Sequence, residues 1–431
     1  MHRTDSEEFD VVIVGGGPAG SATAANLALM GKKVVVLEKE AFPRYHVGES
    51  LIPYCYFPLE KIGMVDRLKS SGYTKKYSVQ FAGMSGKISR PFYFYEHLDH
   101  DAARTWQVNR DSFDREMLEN AREKGAEIRM GWRAKDPLVE DGYHVGVRAV
   151  NGSGEEAVFR APITVDASGR NGFLMTRNGW RIPDTHLQKV AIWTYYRGAK
   201  RDEGYDEGAT TVAYLPEKGW FWYIPLANDE VSVGVVADKD YLYREGRDPE
   251  NIFQREVQNN RWIADHLAQG SPCAPYQVTG DYSFRSRYCA GNGFILTGDA
   301  FAFLDPVFSS GLFLAFTGGE LAAHAAAAAL EKGCYDAAQF DAYGEKIRRN
   351  IEIMRKLVYA FYDEGFNFRD LLDKYPDLAG DVTDVLIGNT EKDFGPLFAA
   401  VAEFADIPAP LGYGKPLYAG GELSAAKTGA L

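Results

Sequence analysis

The segment with the strongest hold on the fold is at the start of the chain. The β-branched run Phe9–Val14 leads directly into Gly15, Gly17 and Gly20 in G-x-G-x-x-G spacing, followed by the alanine-rich Ser21–Leu29 and then Val34–Leu37 and Glu38. The first run predicts a strand, the alanine-rich segment a helix and the valines a second strand. Strand, crossover helix and strand in this order form a right-handed βαβ unit, which requires a parallel sheet with a ligand crevice beyond its strand C-termini. The glycines permit a tight turn and let a pyrophosphate approach the helix N-terminus, and Glu38 is placed to take both hydroxyls of a ribose. Taken alone, the glycines also fit a turn without a ligand. Strand, helix and Glu38 together favour a dinucleotide.

At 431 residues, with 45% apolar and 13% aromatic side chains, the chain can build two or three units and a large core. Tyr77–Phe81, Lys189–Tyr196, Thr210–Leu215 and Glu230–Val236 alternate as half-buried strands of a mostly antiparallel sheet. Phe294–Thr297 reads as a return to the nucleotide half. A helix is expected over Leu312–Leu330; Asp305, Pro306, Glu320 and His324 interrupt its apolar neighbourhood, which marks a core helix and not a membrane span. From Tyr335 the pattern is helical, ending in a Gly/Ala-rich tail expected to be loose. The expected class is α/β: a discontinuous Rossmann-type nucleotide domain (1–75, 105–180 and 280–335), an inserted β-sheet domain on the substrate side (76–104 and 181–279) and a C-terminal helical region (336–431).

Charge and special residues narrow the function. The net charge of −12 argues against a nucleic-acid partner. Cys55, Cys273, Cys289 and Cys334 lack metal-ligand or disulfide spacing, which predicts reduced and mostly buried thiols; His97 and His100 offer too few converging ligands for a metal. The N-terminus carries no signal-peptide pattern, and the expected location is cytoplasmic.

Two further tracts bring a resemblance into view. VDASGR, with Asp166 and Arg170, and TGDAFAFLDP, with Asp299, resemble the middle and GD motifs of two-domain flavoproteins that include aromatic hydroxylases, geranylgeranyl reductases and flavin-dependent halogenases. The resemblance spans about residues 9–355 and implies FAD in place of NAD. Trp220, Trp222, Ile224 and Pro225 complete the W-x-W-x-I-P mark of the halogenases, and FPRYHVGESLIP and LDPVFSSGLFLA resemble those acting on phenols or pyrroles, including carrier-tethered ones. A period-2 tryptophan pair is also what one packed sheet face looks like. Carried over motif by motif, the resemblance implies cofactor contacts from Gly15, Gly17, Ala19, Gly20, Glu38, Lys39, Arg44, Ser50, Arg110, Asp166, Asp299, Gly311 and Leu312, with Glu49 also near the flavin. It further implies a halide at the amides of Ser310 and Gly311, where a plain serine cap is the simpler reading.

In the implied chemistry, FAD reduced by a separate flavin reductase, oxygen and chloride or bromide yield hypohalous acid. A lysine then presents it to an electron-rich aromatic ring. If Thr74–Phe81 is a strand, Lys75 and Lys76 point to opposite faces, and the family pattern selects Lys76; two solvated lysines are the simpler alternative. Tyr93, Phe94, Tyr95 and Trp106 are candidates for an aromatic pocket wall. The competing activities are an aromatic monooxygenase, an isoprenoid reductase and a non-catalytic FAD-binding protein. Lys346, Arg348, Arg349, Arg355 and Lys356 form a basic helical segment that can dock an acidic acyl or peptidyl carrier protein, or simply face solvent.

Overall fold

The computed structural model describes residues 6–280 and 282–418. Its central seven-stranded sheet runs Lys415–Leu417, Tyr288–Gly291, Phe294–Leu296, Ile163–Asp166, Val11–Val14, Val34–Glu38 and Glu127–Met130. The five strands from Phe294–Leu296 to Glu127–Met130 pair in parallel. Val11–Val14 and Val34–Glu38 are buried throughout, as strands covered on both faces must be, and this is why they read as unbroken apolar runs. Register aligns Val14 with Leu37 and with Asp166, and Asp166 with Leu296, so four strand C-termini share one edge. The glycine turn, the loop after Asp166 and the Gly298–Ala300 turn all emerge there. The fold is a Rossmann-type α/β domain.

Helix Pro18–Leu29 packs against the long helix Gly311–Lys332 at very close range: a Cβ on Gly319 would lie 2.6 Å from the Ala19 carbonyl oxygen. The long helix is apolar and long enough to cross a membrane by composition, but 61% of its most apolar window is buried inside the protein, as expected for a core helix.

The second large sheet runs Ser271–Pro272, Lys189–Arg197, Glu230–Asp238, Trp220–Pro225, Thr210–Tyr214, Ser78–Ala82 and Phe92–Tyr93, with Gln277–Gly280 also pairing with Lys189–Arg197. It is antiparallel apart from the pairing of Thr210–Tyr214 with Ser78–Ala82. The expectation of half-buried strands is corrected. Trp220, Trp222 and Ile224 join the core shared with the nucleotide domain, whereas Phe221 and Tyr223 pack with Phe253, Trp262 and Ile263 of helices Pro249–Val257 and Arg261–Leu267. Both faces are covered, so both parities are apolar.

Other differences are local. Thr74–Phe81 is two strands, because Thr74–Lys76 pairs with Thr105–Gln107 while Ser78–Ala82 joins the large sheet. A four-stranded sheet of Ser6–Glu8, Glu156–Arg160, Tyr143–Asn151 and Trp132–Glu140 was not anticipated. The C-terminal region is helical through Gly395–Val401, but Lys415–Leu417 then pairs with Tyr288–Gly291 at the edge of the central sheet. The tail expected to be loose lies, from residue 419, outside the described residues. All four cysteines are free; Cys55 and Cys289 are buried, but Cys273 is exposed and Cys334 half-buried.

Candidate active site

The glycine turn is built as the dinucleotide reading requires. Gly15 has φ +104°, and a Cβ there would lie 2.4 Å from the Ala167 carbonyl oxygen; a Cβ on Gly20 would lie 1.9 Å from the Gly15 oxygen. Ala19 is buried in the same packing. Helix Pro18–Leu29 begins at Gly17 without a side-chain cap or an acidic residue in its first turn, so its N-terminus is electropositive and open to an anion. Arg44 reaches over it, its guanidinium 3.3 Å from where a Gly17 Cβ would stand; it lies 3.7–4.0 Å from the carboxylates of Glu38, Glu40 and Asp114, and its Nε has no hydrogen-bond partner among the described residues. The Glu38 carboxylate accepts from the Gly16 and Glu40 amides, both at 2.8 Å. A guanidinium NH without a hydrogen bond, an uncapped helix end and a held carboxylate fit a pyrophosphate and ribose.

The flavin end of the candidate site is marked by acids and arginines. Asp299 follows strand Phe294–Leu296, and its carboxylate makes no hydrogen bond among the described residues; burial raises it to about 6 against the pull of Arg170 and Arg110. A carboxylate without a partner fits the hydroxyls of a ribityl chain. Arg110 is clamped by Asp114 at 2.7 and 3.0 Å and donates to the Val47 and Gly48 carbonyls at 3.1 and 3.2 Å, which fixes the loop before Glu49. Glu49 is buried, accepts from the Tyr195 hydroxyl at 2.5 Å and is raised by burial. Asp166, expected as a cofactor contact, is buried at the end of its strand. Its oxygens accept from Ser168 and from the Leu174 amide, so it shapes its own loop. Lys39 points outward and pairs with Glu40.

The two lysines separate as the strand period predicts. Lys75 is exposed beside a cleft of about 620 Å³ lined by Tyr73, Tyr77, Arg201 and Tyr205. Lys76 is 0% exposed. Its Nζ donates to the Ser50 hydroxyl at 2.8 Å and the Leu51 carbonyl at 3.2 Å, and stands 5.5 Å from the Phe94 ring centroid. No carboxylate pairs with it among the described residues, and burial pushes the amine down to about 7. Ser50, expected at the cofactor, thus serves the lysine, and it bonds Thr210 at 3.0 Å on its other side. Of the proposed aromatic wall, Phe94 meets the amine; Trp106 is buried, Tyr93 bonds Asp206 and Tyr95 is exposed.

The tryptophans of the W-x-W-x-I-P strand differ in their partners. Trp222 donates to the Ser232 hydroxyl at 3.1 Å within its own sheet, whereas Trp220 donates to the Tyr362 hydroxyl at 2.8 Å, a residue of the C-terminal region. Tyr362 in turn donates at 3.0 Å to Asp305, a buried carboxylate that was not singled out from the sequence as functional. After the short turn Pro306–Phe308, Ser309 takes φ +55° and the long helix starts at Gly311. Ser310 provides no side-chain cap, so the plain-cap reading fails. The Ser310 and Gly311 amides have no protein acceptor among the described residues, and Leu312 is buried behind them.

Of the basic segment expected as a docking face, Lys346 and Arg349 are exposed, Arg348 and Lys356 half-buried and Arg355 buried. Helix periodicity turns Arg355 inward, where it lies near Asp184 and bonds Glu352; Arg349 bonds the Glu391 and Lys392 carbonyls, and Lys356 lies over Phe398. His97 bonds Asp384 and His100 accepts from the Ala102 amide.

Comparison with known proteins agrees with this geometry. The FAD binding domain family model matches residues 8–355. A 1H-pyrrole-2-carbonyl-[peptidyl-carrier protein] brominase of Pseudoalteromonas luteoviolacea is 31% identical over 388 residues, covering 89% of this chain and 93% of that protein. A chlorinase of the same carrier-bound group from Pseudomonas fluorescens is 30% identical, covering 82% and 84%. Among solved structures, the flavin-dependent brominase Bmp2 superposes with a TM-score of 0.83 at 29% identity, covering 92% of this chain and 98% of its own. The myxobacterial chondrochloren halogenase CndH gives 0.79 at 29% identity, covering 92% and 96%. The chain belongs to the flavin-dependent halogenases of the FAD-binding-domain family, and it is an FAD-dependent enzyme of that kind.

Proposed function

We propose that this halogenase oxidises chloride or bromide and transfers the resulting electrophilic chlorine or bromine to a pyrrolic ring carried on a peptidyl carrier protein, with Lys76 as the residue that hands the halogen over. Lys76 carries the reading: an amine wholly buried, without a carboxylate partner among the described residues, and lowered to about 7 is in good part neutral at neutral pH, as a nucleophile towards hypohalous acid must be. Reduced FAD, when bound, supplies the electrons with which oxygen turns halide into hypohalous acid.

The chain's own residues do the rest. Gly15, Gly17, Gly20 and Arg44 would take the pyrophosphate, Glu38 the ribose and Asp299 the ribityl chain. The Ser310 and Gly311 amides at the helix start would hold the halide. Lys76 either hydrogen-bonds hypohalous acid or forms N-halolysine with loss of water; attack by the ring then returns the free amine and releases the ring proton. Burial keeps water from consuming the oxidant. Support for the carrier-borne pyrrole comes from the two relatives whose names specify it. A separate flavin reductase and a cytoplasmic location complete the reading.

The test supplies the protein with FAD, a flavin reductase, NADH, oxygen and halide, and offers pyrrole-2-carboxylate free and as its carrier thioester. Mass spectrometry of the carrier arm should show the halogen isotope pattern. Halogenation of the free acid alone would move the substrate off the carrier, and a hydroxylated product would overturn halogenation.

A further inference from the structure

A buried hydrogen-bond network joins the motif strand to the turn that precedes the long helix. Asp305 is 0% exposed. Its Oδ1 accepts from the Val307 amide at 3.1 Å, closing the turn Pro306–Phe308. Its Oδ2 accepts from the Tyr362 hydroxyl at 3.0 Å and the Tyr282 hydroxyl at 3.3 Å. The Tyr362 oxygen accepts in turn from Trp220 Nε1 at 2.8 Å. Three separate segments therefore converge on one carboxylate, the turn, the approach to strand Phe284–Ser286 and the last residue of helix Asp341–Tyr362, and the first residue of the motif strand joins them through Tyr362. The Lys189 ammonium, on a strand of the same sheet as Trp220, lies 4.3 Å from the Tyr362 ring centroid.

This anchoring has a purpose in the geometry that follows. Ser309 is a non-glycine residue at φ +55°, a strained conformation that persists only where its surroundings impose it. The left-handed residue turns the chain so that the Ser310 and Gly311 amides end without an acceptor at the helix start. The Asp305 carboxylate and the Ser309 amide, bonded to the Pro306 carbonyl at 2.8 Å, are what hold that bend.

We infer that Trp220, Tyr362 and Asp305 are positioning residues for halide, setting the Ser309 bend and through it the spacing of the two free amides. The inference rests on the reading of Ser310 and Gly311 as the halide site. It gives the two motif tryptophans different roles: Trp222 packs its own sheet, and Trp220 reaches the halide turn through Tyr362.

Tyr362→Phe removes the bridging hydroxyl and keeps the ring. Its apparent KM for bromide and for chloride should rise about tenfold, the worth of one lost hydrogen bond in the turn, with kcat at saturating halide and FAD affinity within about twofold of wild type. Chloride NMR line broadening should report the same weakening on FAD-free protein, and the tryptophan emission should shift as Trp220 loses its acceptor. Trp220→Phe should raise the halide KM likewise, and adding it to Tyr362→Phe should change little further. Tyr241→Phe, which removes a buried hydroxyl bonded to Glu256 on the far face of the sheet, controls for a general loss of stability. If Tyr362→Phe fails to fold, Tyr282→Phe is read in its place, with a smaller shift. Wild-type protein that binds no halide overturns the site reading beneath the inference; wild-type and Tyr362→Phe proteins of equal halide affinity overturn the inference alone.

Discussion

Replacing Lys76 by methionine should make the protein more stable at low pH, by an amount that follows from the burial of its amine. Burial lowers the amine from 10.5 to about 7, and at about 1.36 kcal/mol per unit the protonated form costs the fold about 5 kcal/mol. The sign follows from proton counts. The unfolded chain keeps its proton up to pH 10.5, and the folded chain only up to about 7. Between those values the unfolded state binds more protons, so stability rises with pH by about 1.4 kcal/mol per unit, and below 7 the full penalty applies. At pH 9 about 2 kcal/mol of penalty remains, and at pH 6 nearly all of it. Methionine is of similar length and carries no charge, but forfeits the bonds to Ser50 and Leu51, worth about 1 kcal/mol each. Lys76→Met should therefore exceed wild type by about 2–3 kcal/mol at pH 6 and roughly equal it at pH 9. Urea unfolding of both proteins at the two pH values measures the difference. An equal gap at both values, or a variant less stable than wild type at pH 6, would refute the premise that the amine is buried at the expense of its charge.

Three further outcomes are expected. Asp299 is raised to about 6, and a ribityl hydroxyl donates best to the ionised carboxylate, so FAD affinity should fall by up to about tenfold per pH unit below 6; Asp299→Asn should bind more weakly and show no such dependence in a fluorescence titration. Gly20→Ala drives a Cβ to 1.9 Å from the Gly15 oxygen, which must part the turn from its helix; retained FAD would contradict the cradle. Gly234→Ala would set a Cβ 2.3 Å from the Trp222 ring, and a thermal melt should show a loss of about 1–3 kcal/mol from overpacking.

What the sequence disclosed follows the reach of its signals. The strand, glycine turn, helix and Glu38 are contiguous and were legible, as was the opposition of Lys75 and Lys76, because a strand alternates sides whatever surrounds it. The large sheet was legible in position but not in burial, since the helices that cover its outer face come from a later segment, Pro249–Leu267. The return of Lys415–Leu417 to the central sheet is three residues long and carries no local pattern. Asp305 and Tyr362 were missed for the same reason: their bond spans 57 positions, and neither residue type nor spacing foretells it. In the basic segment, composition along the helix did not say which side chains turn inward, and Arg355 does while Lys346 and Arg349 stay exposed. Asp166 and Ser50 have the positions that the motifs gave them, yet their side chains are committed to neighbouring protein groups.

The claim at the centre of this account is that Lys76 delivers the halogen, and the most direct measurement compares wild type with Lys76→Met under turnover while following two products at once. A soluble trap reports hypohalous acid released to solvent, and mass spectrometry reports halogen on the carrier-borne pyrrole. The account predicts that the variant still consumes oxygen and NADH and releases trappable hypohalous acid, while halogenated carrier falls to background. Halogenated carrier formed by the variant at the wild-type rate would contradict it.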